Sequence, residues 1–306
     1  MTAAAAATAT ATAAACLQRA RVCLGRREFA DAESFLREAI AAEPDSGVAY
    51  ELLGKLLYRE SRNAEAAQVY RAWLAVAPND PIASHLVAAT SGEAAPARAS
   101  DGFVAALFER FAPDFDATVS TLGYCVPQLL FEAAMTVLDP GVVGIEVLDL
   151  GCGTGLCGEW FRPLARRLVG VDLSAGMLAN ARRRGCFDEL NCTELTEYLQ
   201  RCTERFDLIT AADVFCYFGD LAAVFTAVAR LLRPEGHFIF SVEHLEDPAD
   251  PRPMRLLEHG RYAHDTRYLH GALTQAGLLP VRTTKAFLRY ERGAPVPGLV
   301  IAARPV

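Results

Sequence analysis

Apolar positions recur at helical spacing through the first ninety residues, then yield to a stretch of small residues, and beyond it to short apolar runs alternating with amphipathic segments. The helical spacing predicts helices over 16–24, 29–42, 48–58 and 64–75, with a closing helix over 81–90. A further helical run over 103–138 carries Phe108, Phe111, Phe115 and Tyr124. The apolar runs predict strands over 145–150, 167–171, 189–192, 206–214 and 236–243, with helices from 156 and over 221–232 between them. Strand alternating with helix implies a mostly parallel sheet with right-handed crossovers. The end of the chain reads differently: extended runs over 279–293 and 295–305, joined by a Gly and Pro turn, predict an antiparallel hairpin.

The helical part has a period of 34 residues. Pro44 and Pro78 are separated by it, as are Ala20 and Gly54, Cys23 and Leu57, Ala32 and Ala66, and Leu36 and Tyr70. These small, large and proline positions resemble the tetratricopeptide repeat: two repeats over 15–92 with the last helix as a cap. Ahead of them, residues 1–14 are almost all alanine and threonine and read as a disordered tail; residues 93–102 read as a linker, leaving 103–306 as the second domain.

That second domain is organised around VLDLGCGTG, residues 147–155. A strand buried on both faces ends in alternating glycines, where missing side chains let backbone N–H groups approach a ligand and a new helix offers its positive end. An anionic or zwitterionic ligand is expected. Gly153, Gly155 and Gly158 spell GxGxxG with Asp172 near the spacing of an NAD-binding acid, so a dehydrogenase is one reading. The fuller pattern is an acid at the strand end (Asp149), GxGxG, and a second strand closing on Asp172 and Leu173. It resembles the first two motifs of Rossmann-like S-adenosylmethionine-dependent methyltransferases. LLRPEG at 231–236 and the final hairpin, which dehydrogenases lack, agree with that family. The likeness extends to a group of methyltransferases carrying tetratricopeptide repeats, through FERFAPDFD, VGVDLS, ADVFCYFGDL, FSVE, GRYAH and RYERGAPVPG.

The resemblance implies a seven-stranded Rossmann-like α/β sheet with a C-terminal antiparallel hairpin behind an all-α repeat domain, and S-adenosylmethionine as cofactor. It implies that the turn (Gly151, Cys152, Gly153, Gly155) passes the methionine end, that Asp149 receives its amino group, and that Asp172 takes the ribose hydroxyls. Leu173, Met177, Thr193, Glu194, Asp213 and Val214 complete the implied cofactor set. Helices over 103–138 are implied as a lid, with Phe111, Phe115 and Tyr124 as its candidates.

Composition narrows the function. A net charge of -7 argues against a protein that holds nucleic acid mainly by neutralising phosphates, and Arg182, Arg183 and Arg184 read as a solvated helix end. Nine cysteines without CxxC pairing read as reduced thiols; no metal site is assigned and a cytoplasmic location is expected, with no signal peptide and no apolar run of membrane length. ADVF after the fourth strand differs from the NPPY of amino-group methyltransferases acting on bases.

Acceptors bind beyond the carboxyl ends of the strands. Candidate bases there are His264 and His244, with Glu243 and Tyr262; Tyr217, Arg261 and Tyr268 are candidate acceptor contacts, Arg261 through its planar fork. His85, His237 and His270 read as structural. The leading function is methyl transfer to oxygen or nitrogen of a small molecule, carboxylate included. The alternatives are a protein methyltransferase whose substrate docks on the repeats, or a repeat adaptor with a non-catalytic domain.

Overall fold

A computed structural model describes residues 3–92, 95–246, 251–291 and 293–306, with side chains set aside at 3–7. Part of the expected tail (Met1, Thr2) and of the expected linker (Glu93, Ala94), and Arg292 of the final turn, lie outside the described residues. The chain divides into two compact units, one running up to Ala95 and including Leu257–Arg261, the other Pro96–Leu256 with Tyr262–Val306.

The helical unit holds α1 (Ala3–Arg26), α2 (Phe29–Ala42), α3 (Gly47–Arg59), α4 (Asn63–Val76) and α5 (Pro81–Ser91). Its 34-residue period is written into the backbone: Arg27 and Ser61 take left-handed φ values of 62° and 63° at equivalent turns. The small positions are small because of their neighbours, since a Cβ on Gly54 would collide with the Tyr70 ring. Ala20, Ala32, Leu36 and Ala39 are fully buried, and Tyr50 stacks on Trp73 at 6.5 Å. Asp80 caps α5, accepting from the amides of Ile82 and Ala83 ahead of a proline at its first turn. The alanine and threonine stretch is helical from Ala3, not a tail. Alanine has the best intrinsic propensity, and Thr12 keeps its hydroxyl satisfied inside the helix by donating to the Thr8 carbonyl at 2.9 Å.

The second unit opens with α6 (Asp101–Phe111), α7 (Phe115–Thr121) and α8 (Val126–Val137). Then come β1 (Ile145–Leu150), α9 (Leu156–Phe161), β2 (Ala165–Asp172), α10 (Ala175–Arg184), β3 (Glu189–Cys192), α11 (Leu195–Arg201), β4 (Phe206–Ala211), α12 (Ala222–Leu231) and β5 (Leu232–His244). The chain closes with β6 (Met254–Leu256), β7 (Tyr262–His264), α13 (Thr266–Gln275), β8 (Leu278–Glu291) and β9 (Ala294–Pro305). The first five strands are parallel in the order β3-β2-β1-β4-β5, and β9 adds antiparallel to β5 with β8 outside it.

All six residues of β1 are buried, as a central strand covered on both faces requires. The core between this sheet and α8 and α9 includes Val126, Leu130, Val147, Phe161, Leu168, Leu208 and Ile239. Seven strands are the expected set; among the described residues the sheet has two more. β7 pairs parallel with the last two residues of β5 and β6 pairs antiparallel with β7. Because Glu243 already faces Gly298 of β9, β7 must use the other edge of β5, which β4 vacates after Ala211. None of the described helices is long and apolar enough to cross a membrane.

Candidate cofactor and acceptor site

The turn after β1 places Gly151, Gly153 and Gly155 at φ values of 64°, 54° and 92°, all in the left-handed region that favours glycine. A Cβ on Gly151 would also collide with Val214, whereas the space before Gly153 is open, with nothing within 4 Å of where its Cβ would lie. Between them Cys152 donates its amide to the Val171 carbonyl at 3.0 Å, tying the turn to β2, and burial pushes its thiol well above the ordinary range.

Asp149, 1% exposed, sits at the end of β1. Its Oδ1 accepts from the Thr210 hydroxyl at 2.9 Å, while its Oδ2 is buried without a hydrogen-bond partner. Burial pushes its carboxyl up to about 7; the Thr210 bond opposes this and the nearby charge of Asp172 adds to it. Asp172 closes β2 and accepts from Gly153 N at 2.9 Å through Oδ2 and from Ser174 N at 2.8 Å through Oδ1. Burial raises its carboxyl as well, against those backbone amides. Leu173 follows, half-buried, and Thr193 donates its amide to the Asp172 carbonyl at 3.1 Å.

Two of the implied cofactor residues have other settings. Met177 is 0% exposed within the core face of α10. Glu194 caps α11, accepting from Glu197 N at 2.9 Å and from the Thr196 hydroxyl.

The helices ahead of the sheet are fastened to both motifs. Glu109 on α6 accepts from Ser174 Oγ at 2.8 Å and Gly176 N at 3.0 Å, and these bonds hold its carboxyl below the usual range. Asp116 on α7 accepts from the buried Thr154 hydroxyl in the glycine turn and pairs with Arg184. Arg184 is not a solvated helix end: it also donates to the Thr154 carbonyl and pairs with Glu159, both at 2.8 Å. Of the lid candidates, Phe115 packs on Phe108, which meets Tyr217 edge to face at 5.5 Å; Phe111 is half-buried at the end of α6.

At the carboxyl edge, Arg289 of β8 is 4% exposed and joins Asp213, after β4, to Glu243, at the end of β5. Sequence reasoning gave it no role, although it opens the RYERGAPVPG stretch that carries part of the family likeness. Tyr124 feels the charges of Asp213 and Arg289, and burial raises its hydroxyl far above the ordinary range. Tyr217 is buried under α6.

The candidate bases occupy quieter positions than a loop rim. His264 lies in β7, 0% exposed, with Nε2 on the Gly219 carbonyl at 3.0 Å, and burial lowers it to about 4. Nδ1 of His264 is buried without a partner. Tyr262 donates to the Pro96 carbonyl at 2.7 Å and burial raises it to about 12. Tyr268 donates to Asp220 and accepts from Leu221 N, so it braces the start of α12. His244 shares a hydrogen bond with Thr266 at 3.1 Å. Arg261 belongs to the helical unit, not to the unit holding the other candidates.

Residues 148–240 match the family model described as a methyltransferase domain, and residues 24–90 match that of the tetratricopeptide repeat. A ubiquinone biosynthesis O-methyltransferase of Bradyrhizobium sp. (strain ORS 278) is 36% identical over 102 residues, covering 32% of this chain and 40% of that protein. A malonyl-[acyl-carrier protein] O-methyltransferase of Yersinia pestis is 29% identical over 138 residues, covering 45% and 49%. The chain thus spans less than half the length of these relatives. In solved structures, a methyltransferase of Haloferax volcanii in complex with the Trm112 activator superposes with a TM-score of 0.51 at 18% identity, over 66% of this chain and 97% of that one, a likeness of fold. Within this chain, residues 148–240 are thus similar to a methyltransferase domain and residues 24–90 to tetratricopeptide repeats.

Proposed function

We propose that the α/β unit transfers a methyl group from S-adenosylmethionine to an oxygen or nitrogen of a small-molecule acceptor. The observation that carries this reading is Asp149 Oδ2, buried and without a partner at the end of the strand whose turn leaves open space at Gly153. An unsatisfied buried acceptor costs about 1–3 kcal/mol, and an ammonium group placed there would remove that cost. Asp172, already oriented by Gly153 N and Ser174 N, has lone pairs left for a ribose diol, and Leu173 would cover the adenine.

Bound S-adenosylmethionine supplies an electrophilic methyl group. The protein's part is to hold the acceptor in line with it and keep water away, an effect of roughly 7–11 kcal/mol at best. Glu109 and Asp116, which fasten the lid helices to the two motifs, serve that exclusion. The two curated relatives above are named as O-methyltransferases, which supports an oxygen acceptor. Calorimetric titration tests the reading: the wild-type protein should bind S-adenosylmethionine and a Gly153→Arg variant should not. No binding, or binding unaffected by the arginine, refutes it.

A protein acceptor is the second reading, favoured by a groove of about 410 Å³ on the repeats, lined by Arg37, Ile40, Tyr50, Leu53, Glu65 and Val69. Val69→Arg should then reduce labelling of a proteome by radiolabelled cofactor and leave labelling of isolated metabolites unchanged.

A further inference from the structure

Asp213 is, among the described residues of the α/β unit, the one non-glycine residue held in the left-handed backbone region, at φ 58°. Such a backbone is uncommon outside glycine and persists where surroundings fix it. Here its amide donates to the buried Ser241 hydroxyl at 2.9 Å, and its Oδ2 accepts from Arg289 Nη1 at 2.6 Å. Arg289 is itself locked, 4% exposed, with its other terminal nitrogen on Glu243. The other oxygen, Asp213 Oδ1, is shielded from solvent and has no hydrogen-bond partner. One oxygen of this carboxylate is pinned and the other keeps its acceptor capacity unused, one residue before Val214, which packs on Gly151 of the cofactor turn.

Resting on the methyltransferase reading above, and moving Asp213 from the implied cofactor set to the methyl acceptor, we propose that Asp213 Oδ1 accepts the O–H or N–H of that acceptor and takes its proton. The acceptor is therefore a hydroxyl or amine compound and not a carboxylate. As the acceptor oxygen or nitrogen bonds to the methyl carbon, the carbon–sulfur bond breaks, sulfur keeps the electron pair as a thioether, and the acceptor's proton passes to Asp213. A carboxylate acceptor brings no proton to this oxygen and meets like charge. It would also find Arg289 already committed to Asp213 and Glu243, with Glu291 at 3.9 Å.

The test uses the full-length protein saturated with S-adenosylhomocysteine, with phenol and benzoate as matched probes whose binding is followed by ligand-observed NMR. Phenol should bind at least about ten-fold more tightly than benzoate, the scale of one charge-assisted hydrogen bond. Asp213→Asn turns the unused acceptor into a donor while asparagine tolerates the same backbone, so the preference should shift toward benzoate. Equal or tighter benzoate binding by the wild type, binding of neither probe, or an unchanged preference in the variant overturns the proposal. Calorimetry with S-adenosylhomocysteine on both proteins keeps this separate from the cofactor reading, which fails only if that ligand does not bind.

Discussion

Gly153 donates its amide to Asp172 Oδ2 at 2.9 Å, so the turn after β1 and the acid that ends β2 form one unit before any ligand arrives. Removing the acid should therefore cost the cofactor twice, through its own contacts and through the orientation of the turn. Asp172→Ala is expected to weaken S-adenosylhomocysteine by about 10- to 100-fold, the range of one charged hydrogen bond. Circular dichroism should show the fold intact. Unchanged affinity in calorimetry would place the ribose elsewhere.

Asp149 makes binding and stability depend on pH in opposite senses. Its folded carboxyl titrates at about 7, above the ordinary 3.8, so the ligand-free protein takes up a proton there that the unfolded chain has lost. The folded state pays nothing below the unfolded value, and its stability falls as pH rises toward 7, by at most about 1.4 kcal/mol per unit. An ammonium ligand needs the ionised form, so cofactor affinity should rise through pH 7 and level off above it. Calorimetry at pH 6 in two buffers of different ionisation enthalpy should detect proton release on binding, absent in Asp149→Asn.

His264, buried and bonded to the Gly219 carbonyl, is expected to act as a structural group. Its folded value, about 4, lies below the ordinary 6.5, so it costs nothing above 6.5 and destabilises the fold progressively as pH falls from there toward 4. His264→Ala should lower the melting temperature, from the lost packing and the lost bond to Gly219, and leave affinity for S-adenosylhomocysteine within about two-fold, since a group that is not at the site contributes no binding energy to lose. A variant with normal stability and altered cofactor binding would contradict this placement.

The contact between Asp116 and Thr154 predicts a kinetic effect. Asp116→Ala frees α7 from the glycine turn and from Arg184, and S-adenosylhomocysteine should dissociate about 3- to 10-fold faster, less than a charged hydrogen bond to the ligand itself would give because this one braces the turn. Stopped-flow displacement measures it. An unchanged rate would mean that the lid is held by Glu109 and the aromatic contacts alone.

What the sequence displayed and what it hid have physical causes. The glycine turn and the two acids were legible because each departs from the bland apolar strand in a way only a ligand-facing turn requires. The repeats were legible because Gly54 must face Tyr70 and the residues 34 positions earlier, Ala20 and Leu36, are again a small and a large buried pair. Arg289 was hidden because its role depends on the fold bringing its side chain to Asp213 and Glu243, residues 76 and 46 positions away. The setting of His264 was hidden for a related reason. A rim loop was inferred from GRYAHDTRY, but its Tyr262–His264 segment pairs with β5 and buries the rings. Arg184 looked like a solvated end of a basic run, and only the fold brings Asp116 and Thr154 to it.

The most direct measurement is a crystal structure of the protein with S-adenosylhomocysteine. The account predicts its amino group within hydrogen-bond distance of Asp149 Oδ2 and its ribose hydroxyls on Asp172. Density for the ligand elsewhere, or Asp149 Oδ2 still without a partner in the complex, would contradict it.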